Sequence, residues 1–409
     1  MTDEKTQVVV LGAGYAGLMA AMRLARKTDA RSVAITLVNA SEVFNERVRN
    51  HQLISGQHLP ERSLARILAK TRIRFQRGTV LDLLPERHIV RVQTGLDRTT
   101  ELRYEYLIYA LGSHVDSGST PGARQYAYTL DDRSARALAP LLPGLAARGG
   151  RVLLVGAGNT GVEVSTELAE QFPNLKITVV TRRSFARNLS DGAQRHIRRA
   201  FSRLGIALIE NTEVTRLERN QAVTAKGLIP FDVCIWVGGF GVSDLARRAG
   251  VRVNELGQIL VDRMLRSLSH PEIFAAGDAA KPAEDPGTPI RMSLYAAGPM
   301  GAHAADALAA IFHGRQPSPF GLSYLAQGLS LGRRDGVVQF LGWNTDRATR
   351  FIITGRVANW FREFFVGFLL VTIRLQRTMP WVFYWPGKNK MRSVASIERA
   401  TRAAALVDG

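Results

Sequence analysis

Two glycine-rich turns of one form, each leading out of an apolar run and into a helical pattern, constrain this chain more than any other feature. Val8 to Leu11 is β-branched and aliphatic. Gly12, Gly14 and Gly17 follow at once, and Leu18, Met19, Met22 and Leu24 then recur at helical spacing. The second copy reads RVLLVGAGNTGVE: a strand from Val152 to Val155, then Gly156, Gly158 and Gly161, then a helix through Val164, Leu168 and Ala169. In such a unit the first glycine makes the turn, the second lets a pyrophosphate approach the backbone, and the third lets helix and strand pack closely. Phosphate oxygens then meet the free N–H groups at the helix N-terminus. A lone GxGxxG also suits a plain glycine turn. Two of them, a domain's length apart and each followed by a second strand, predict two dinucleotide-binding sheets.

The second strands carry further information. Val33 to Val38 ends at Asn39, where an acidic residue usually binds ribose hydroxyls and where Asn39 offers one hydrogen bond. Leu175 to Val180 ends instead in Thr181, Arg182 and Arg183. A carboxylate there repels a 2′-phosphate, whereas arginines hold one through charge-assisted hydrogen bonds, so NADPH is expected over NADH. The alternative is a solvated basic turn formed with Arg187. A third signal, PEIFAAGDAA at 271–280, runs a short apolar strand into Gly277 and Asp278. That puts a carboxylate at a strand's carboxyl end, where ligands of open α/β sheets sit.

With 409 residues, 46% hydrophobic and 22% charged, the chain is long enough for two or three folded domains. Its net charge of +19 favours anionic partners, but no nucleic-acid reading motif accompanies the charge, so no nucleic acid is expected. The one cysteine, Cys234, lies in an apolar strand and reads as packed core. One cysteine excludes a redox disulfide within the chain and a cysteine-clustered zinc site. Eight histidines lack ligand spacing, so no metal is expected. Asp3 and Glu4 stand where a signal peptide would carry positive charge. The longest uncharged apolar run, Phe364 to Ile373, is too short to cross a bilayer. The expected location is cytoplasmic, either free or peripheral on the inner face of the cytoplasmic membrane.

The two glycine units, the YEYLIYALGS stretch at 104–113 and the late IFAAGDAA together resemble the two-dinucleotide flavoproteins that include the pyridine nucleotide disulfide reductases. The resemblance implies an α/β fold of two Rossmann-like domains. A discontinuous FAD domain (1–112 and 252–314) would hold an inserted NAD(P)H domain (113–251), with a C-terminal extension at 315–409. It assigns to FAD Gly12, Gly14, Tyr15, Ala16, Gly17, Asn39, Arg47, Val80, Ala110, Gly112 and Asp278. To NAD(P)H it assigns Gly156, Gly158, Asn159, Thr160, Gly161, Glu163, Thr181, Arg182, Arg183, Gly238 and Gly239. Within the superfamily, LVNASEVFNERVRNHQLISG at 37–56, TGVE at 160–163 and LSLGRRDGVVQFLG at 329–342 resemble the type II NADH dehydrogenases and apoptosis-inducing-factor-like oxidoreductases.

That branch implies hydride passing from nicotinamide to flavin and on to a small-molecule electron acceptor. Glu163 would touch the nicotinamide end, with a helix-dipole role as the alternative. Tyr295 would offer a ring and hydroxyl near the flavin, or would simply be packed. Type II dehydrogenases carry a glutamine-bearing segment after the FAD-binding Asp, and the matching Ser293 to Gly298 has no Gln. The acceptor therefore stays open between a quinone and another organic molecule. A biosynthetic tailoring enzyme and a redox-sensing flavoprotein stand as alternatives.

Beyond the connector at Gln316 to Pro319, aromatics gather from Trp360 to Trp385 among Arg356, Arg362, Arg374 and Arg377. Four of the chain's five tryptophans follow residue 342. This composition suits an anionic membrane surface or a homodimer contact, with a helix packed on the FAD domain as the third reading.

Overall fold

In the computed structural model, which describes residues 5–284, 290–342 and 346–388, both glycine units become the centres of parallel sheets. The first sheet has the order Ile273–Ala275, Tyr106–Tyr109, Thr6–Leu11, Val33–Asn39, Arg74–Arg77, every neighbour parallel. Its central strands carry apolar runs, residues 8–11 and Tyr106–Tyr109, because helices and loops cover both faces. The second has the order Ala207–Ile209, Lys176–Val180, Arg151–Val155, Val233–Trp236, Ala127–Tyr128, again all parallel. The strand Ile273–Ala275 belongs to the first sheet although the whole second sheet precedes it in sequence. The two segments running between the sheets pair with each other: Ser113–Val115 lies antiparallel to Phe240–Val242. The α/β architecture with two Rossmann-like sheets is thus the one the motifs predict.

The helix Leu294–Phe312 packs along the first glycine helix, Tyr15–Lys27. Gly301 permits the close approach, since a Cβ there would overlap the Ala16 carbonyl. After the connector, Ala326–Ser330, Gly336–Leu341 and Ala348–Thr354 form an antiparallel sheet, followed by the helix Gly355–Leu375 and a short 3₁₀ turn, Pro380–Val382. This C-terminal layer is tied to both halves. Arg23 of the first glycine helix is buried, pairs with Asp306 at 2.7 Å and donates to Gln376 at 2.7 Å. Asp335 pairs with His196 at 2.9 Å and Arg203 at 2.8 Å, both on the helix Asp191–Arg203. Of the C-terminal extension, 343–345 and 389–409, with Trp343 among them, lie outside the described residues.

Candidate functional site

The three glycines of each unit do three different jobs, and the two units match position for position. Gly12 and Gly156 have φ of +94° and +113°, in the region that glycine favours. Gly17 and Gly161 press against the carbonyls of Gly12 and Gly156, where any Cβ would overlap. Gly14 and Gly158 cap the helices Tyr15–Lys27 and Asn159–Gln171 in extended conformation, and a Cβ at either would meet no atom of the described residues within 4 Å. The protein therefore needs glycine at the first and third positions for its own packing. At the second, only a ligand lying against the helix N-terminus does. Both cradles thus fit a pyrophosphate.

Around the first cradle, the one expected to hold FAD, Arg47, Gly112 and Asp278 come together although they are far apart in sequence. Arg47 Nη1 donates to the Ser113 carbonyl at 2.6 Å, and Ser113 Oγ donates to Asp278 Oδ2 at 2.6 Å. Gly112, with φ of +71°, turns the chain between them. Gln258 Nε2 donates to the Asp278 carbonyl at 2.8 Å and fixes that turn. Arg47 makes no ion pair among the described residues, which leaves its charge for an anion. Asn39 closes on the glycine turn itself: its Oδ1 accepts from Ala13 N–H at 3.0 Å and its amide donates to Ser41 O at 2.8 Å. Tyr15 and Ala16 are buried beneath the turn, with Tyr15 edge-on to Phe44. Ala110 is buried against Gly12, and Val80 is half-buried in the strand Thr79–Leu84.

Around the second cradle, the one expected to hold the nicotinamide nucleotide, Asn159 and Thr160 form the first helical positions after Gly158. Gly238 backs Gly156 so closely that a Cβ on Gly156 would lie 2.9 Å from the Gly238 nitrogen, and Gly239 has φ of +79°. Trp236 Nε1 donates to Gly238 O at 2.7 Å and to Asp116 O at 2.9 Å, holding that loop down. Thr181 is tied through its backbone to Ile209 and Thr212. Arg182 and Arg183 are exposed, and Arg182 meets Glu213 at 3.4 Å.

Glu163 has surroundings that local sequence did not reveal. It is the fifth residue of its helix, past the first turn, so a helix-dipole role does not account for it. Its Oε1 pairs with Arg362 at 2.9 Å and accepts from Ser330 N–H at 3.0 Å. Burial holds its carboxyl above the ordinary range, against the opposing charge of Arg362. Arg362, grouped from sequence with the surface arginines, is corrected by the structure: it is 8% exposed, pairs with Glu363 at 2.6 Å and donates to Val48 O at 3.1 Å. Glu363 in turn meets Arg49 at 2.6 Å. One ion-pair chain thus joins the second glycine helix, the C-terminal helix and the segment around Arg49.

Tyr295 stands in the first turn of Leu294–Phe312, its hydroxyl donating to Ser323 O at 3.2 Å and its ring 5.3 Å from that of Tyr324. Burial pushes its hydroxyl up to about 12. Cys234 is buried in the middle of the second sheet, and burial pushes its thiol up to about 12. No metal-capable cluster of His, Cys, Asp and Glu occurs among the described residues. Ser113, Gln258, Ser330 and Arg362 were missed as supporting residues. Two of them had a signal: Ser113 closes the YEYLIYALGS stretch, and Ser330 lies in LSLGRRDGVVQFLG at 329–342. The aromatic C-terminal segment divides: Phe383 and Trp385 are buried, whereas Trp360 (68% exposed), Phe364 (52%) and Phe368 (47%) face out. Among the described residues no helix is long and apolar enough to cross a membrane.

Comparison with known proteins agrees with this fold. The chain is 28% identical over 329 residues to an NADH dehydrogenase-like protein of Mycobacterium tuberculosis, covering 73% of this chain and 79% of that one. It is 26% identical over 390 residues to the demethylphylloquinone reductase NdbB of Synechocystis, covering 90% and 96%. Its fold superposes on NDH2 of Plasmodium falciparum, solved with NADH, with a TM-score of 0.77 at 15% identity over 93% of this chain and 98% of that one. The pyridine nucleotide-disulphide oxidoreductase family matches residues 6–309. The chain belongs to that family and is an oxidoreductase of FAD and a nicotinamide nucleotide.

Proposed function

We propose that this chain oxidises NAD(P)H through FAD and delivers the electrons directly to a quinone-like or other organic acceptor, with no redox-active disulfide between. The observation that carries this reading is Cys234: the only cysteine is buried in the second sheet with a raised thiol and has no partner sulfur. Bound FAD would supply hydride acceptance and onward electron delivery. The printed name of the Synechocystis relative, a demethylphylloquinone reductase, supports the quinone class.

The chain's own residues bind and orient. Gly12, Gly14 and Gly17 seat the FAD pyrophosphate, Arg47 neutralises it, and Ser113 and Gln258 hold Asp278 toward the ribityl region. Gly156, Gly158, Gly161, Gly238 and Gly239 seat the nicotinamide nucleotide, and Glu163, fixed by Arg362, borders its nicotinamide end. Exposed Arg182 and Arg183 favour NADPH. A nicotinamide-nucleotide domain at 113–251 is supported by the antiparallel pair Ser113–Val115 and Phe240–Val242, which lies near both of its ends.

The exposed aromatic face of Gly355–Leu375 supports attachment to an anionic membrane surface, with a homodimer contact as the rival use of that face. Anaerobic mixing with NADH or NADPH, followed by a panel of quinones, tests the reaction. Bleaching of the flavin by either nucleotide and repeated turnover on a quinone are expected. A reduced flavin that persists without turnover would establish the redox-sensing alternative instead.

A further inference from the structure

The apolar stripe of the C-terminal helix ends on a basic pocket. Val357, Trp360, Phe364, Phe368 and Val371 succeed one another at steps of three and four residues and are all exposed, so they share one helix face. The next position on that face is Arg374, also exposed. Beside it, between the helix end and the short helix Leu64–Leu68, lies a cavity of about 210 Å³ whose lining includes Arg62, Arg66, Arg374 and Arg377.

The charges there are unevenly used. Arg62 is paired with buried Glu46. Arg377 gives one N–H to Ala69 O at 3.2 Å. Arg66 and Arg374 have no ion partner among the described residues. The one acidic side chain in the lining, Glu61, lies 3.7 Å from Arg136. The pocket therefore keeps a positive surplus, and Ser63 adds a hydroxyl to its wall.

We propose that this pocket takes the phosphate of an anionic phospholipid headgroup, with the acyl chains lying along the stripe from Val371 back to Trp360. The inference rests on the membrane-surface reading above and sharpens it from an apolar face to a headgroup site. Guanidinium groups match phosphate oxygens through paired N–H donors, and the apolar stripe beginning one helical turn away matches what a lipid carries next to its phosphate. Charge complementarity favours this occupant over a second copy. A chain of net charge +19 brings no acidic surplus to meet the arginines.

The test is flotation of the full-length holoprotein with vesicles of phosphatidylcholine alone or mixed with phosphatidylglycerol. Two charge-matched variants are compared: R66Q/R374Q in the pocket, and R350Q/R356Q at exposed arginines outside it. Diffuse attraction to an anionic surface is worth about fivefold in partitioning per arginine. The control should therefore lose up to about 25-fold, and the pocket variant at least tenfold more. Both should keep wild-type flavin content and turnover on a soluble quinone, which shows that they fold. Equal losses in the two variants would overturn the headgroup site while leaving membrane attachment standing. Failure of the wild type to float with either vesicle would overturn both. If R66Q/R374Q abolished binding of inorganic phosphate in solution yet floated like the control, the pocket would be a free-phosphate site and the lipid assignment would fall.

Discussion

Replacing Arg362 by Leu should leave a buried carboxylate uncompensated, and the cost should depend on pH in a calculable way. Arg362 faces Glu163 at 2.9 Å and Glu363 at 2.6 Å. Glu363 would keep Arg49 at 2.6 Å, so the orphaned charge is that of Glu163, left among the described residues with the Ser330 N–H alone. Breaking such a pair by removing one partner costs about 3–5 kcal/mol. Glu163 can limit the loss by taking a proton. Starting from its ordinary value of 4.5, protonation costs about 1.4 kcal/mol per pH unit, hence about 5 kcal/mol at pH 8 and about 2 kcal/mol at pH 6. The sign follows from linkage: with its folded value raised above the unfolded one, the native state binds more protons, and stability falls as pH rises. Urea unfolding of the holoprotein, followed by tryptophan fluorescence at pH 6, 7 and 8, should show a penalty for R362L that grows across the series. The double variant E163Q/R362L should recover most of it at pH 8. A penalty independent of pH, or one below about 1 kcal/mol at pH 8, would refute the reasoning.

A second and a third glycine give a sharper pair of outcomes. Gly158→Val should fold and keep its flavin but lose reduction by NAD(P)H, because its side chain enters only the ligand cradle; Gly17→Val should yield no soluble holoprotein, because its Cβ overlaps the Gly12 carbonyl. Flavin spectra and nucleotide titrations distinguish them. R182Q/R183Q should lower the NADPH to NADH ratio of kcat/KM by about 10- to 100-fold, the worth of one or two charge-assisted hydrogen bonds. An unchanged ratio would return these arginines to a solvated turn. Cys234→Ala should turn over within about twofold of wild type, and native Cys234 should resist alkylation, as a buried thiol pushed up to about 12 must.

The parts of the site set by local backbone geometry were legible in the sequence. The first and third glycines of each turn were legible with their backbone roles, because positive φ at the one and close helix–strand approach at the other leave no other residue type. Asp278 was legible for a related reason: a carboxylate at the end of a short apolar strand occupies a recurring place in open α/β sheets. What depends on contacts between distant segments was not. Arg362 carries the same sequence signal as Arg374, an arginine among aromatics in one helix, yet the first is buried against Glu163 and the second is exposed. Local pattern does not say which helix face meets the second glycine helix. Likewise Phe383 and Trp385, which follow the C-terminal helix, are core, while Trp360 and Phe364 on that helix are surface. The C-terminal antiparallel sheet, which braces Glu163 through Ser330, was foreseen only as an extension.

The most direct test of the central claim is a count of electrons. Anaerobic titration of the holoprotein with NAD(P)H should fully reduce the flavin at one equivalent per FAD and consume no more, and an added quinone should restore the oxidised spectrum completely. Uptake of a second equivalent would reveal another two-electron centre and contradict direct transfer from flavin to acceptor. A flavin that neither nucleotide bleaches would contradict the assignment of the second glycine cradle itself.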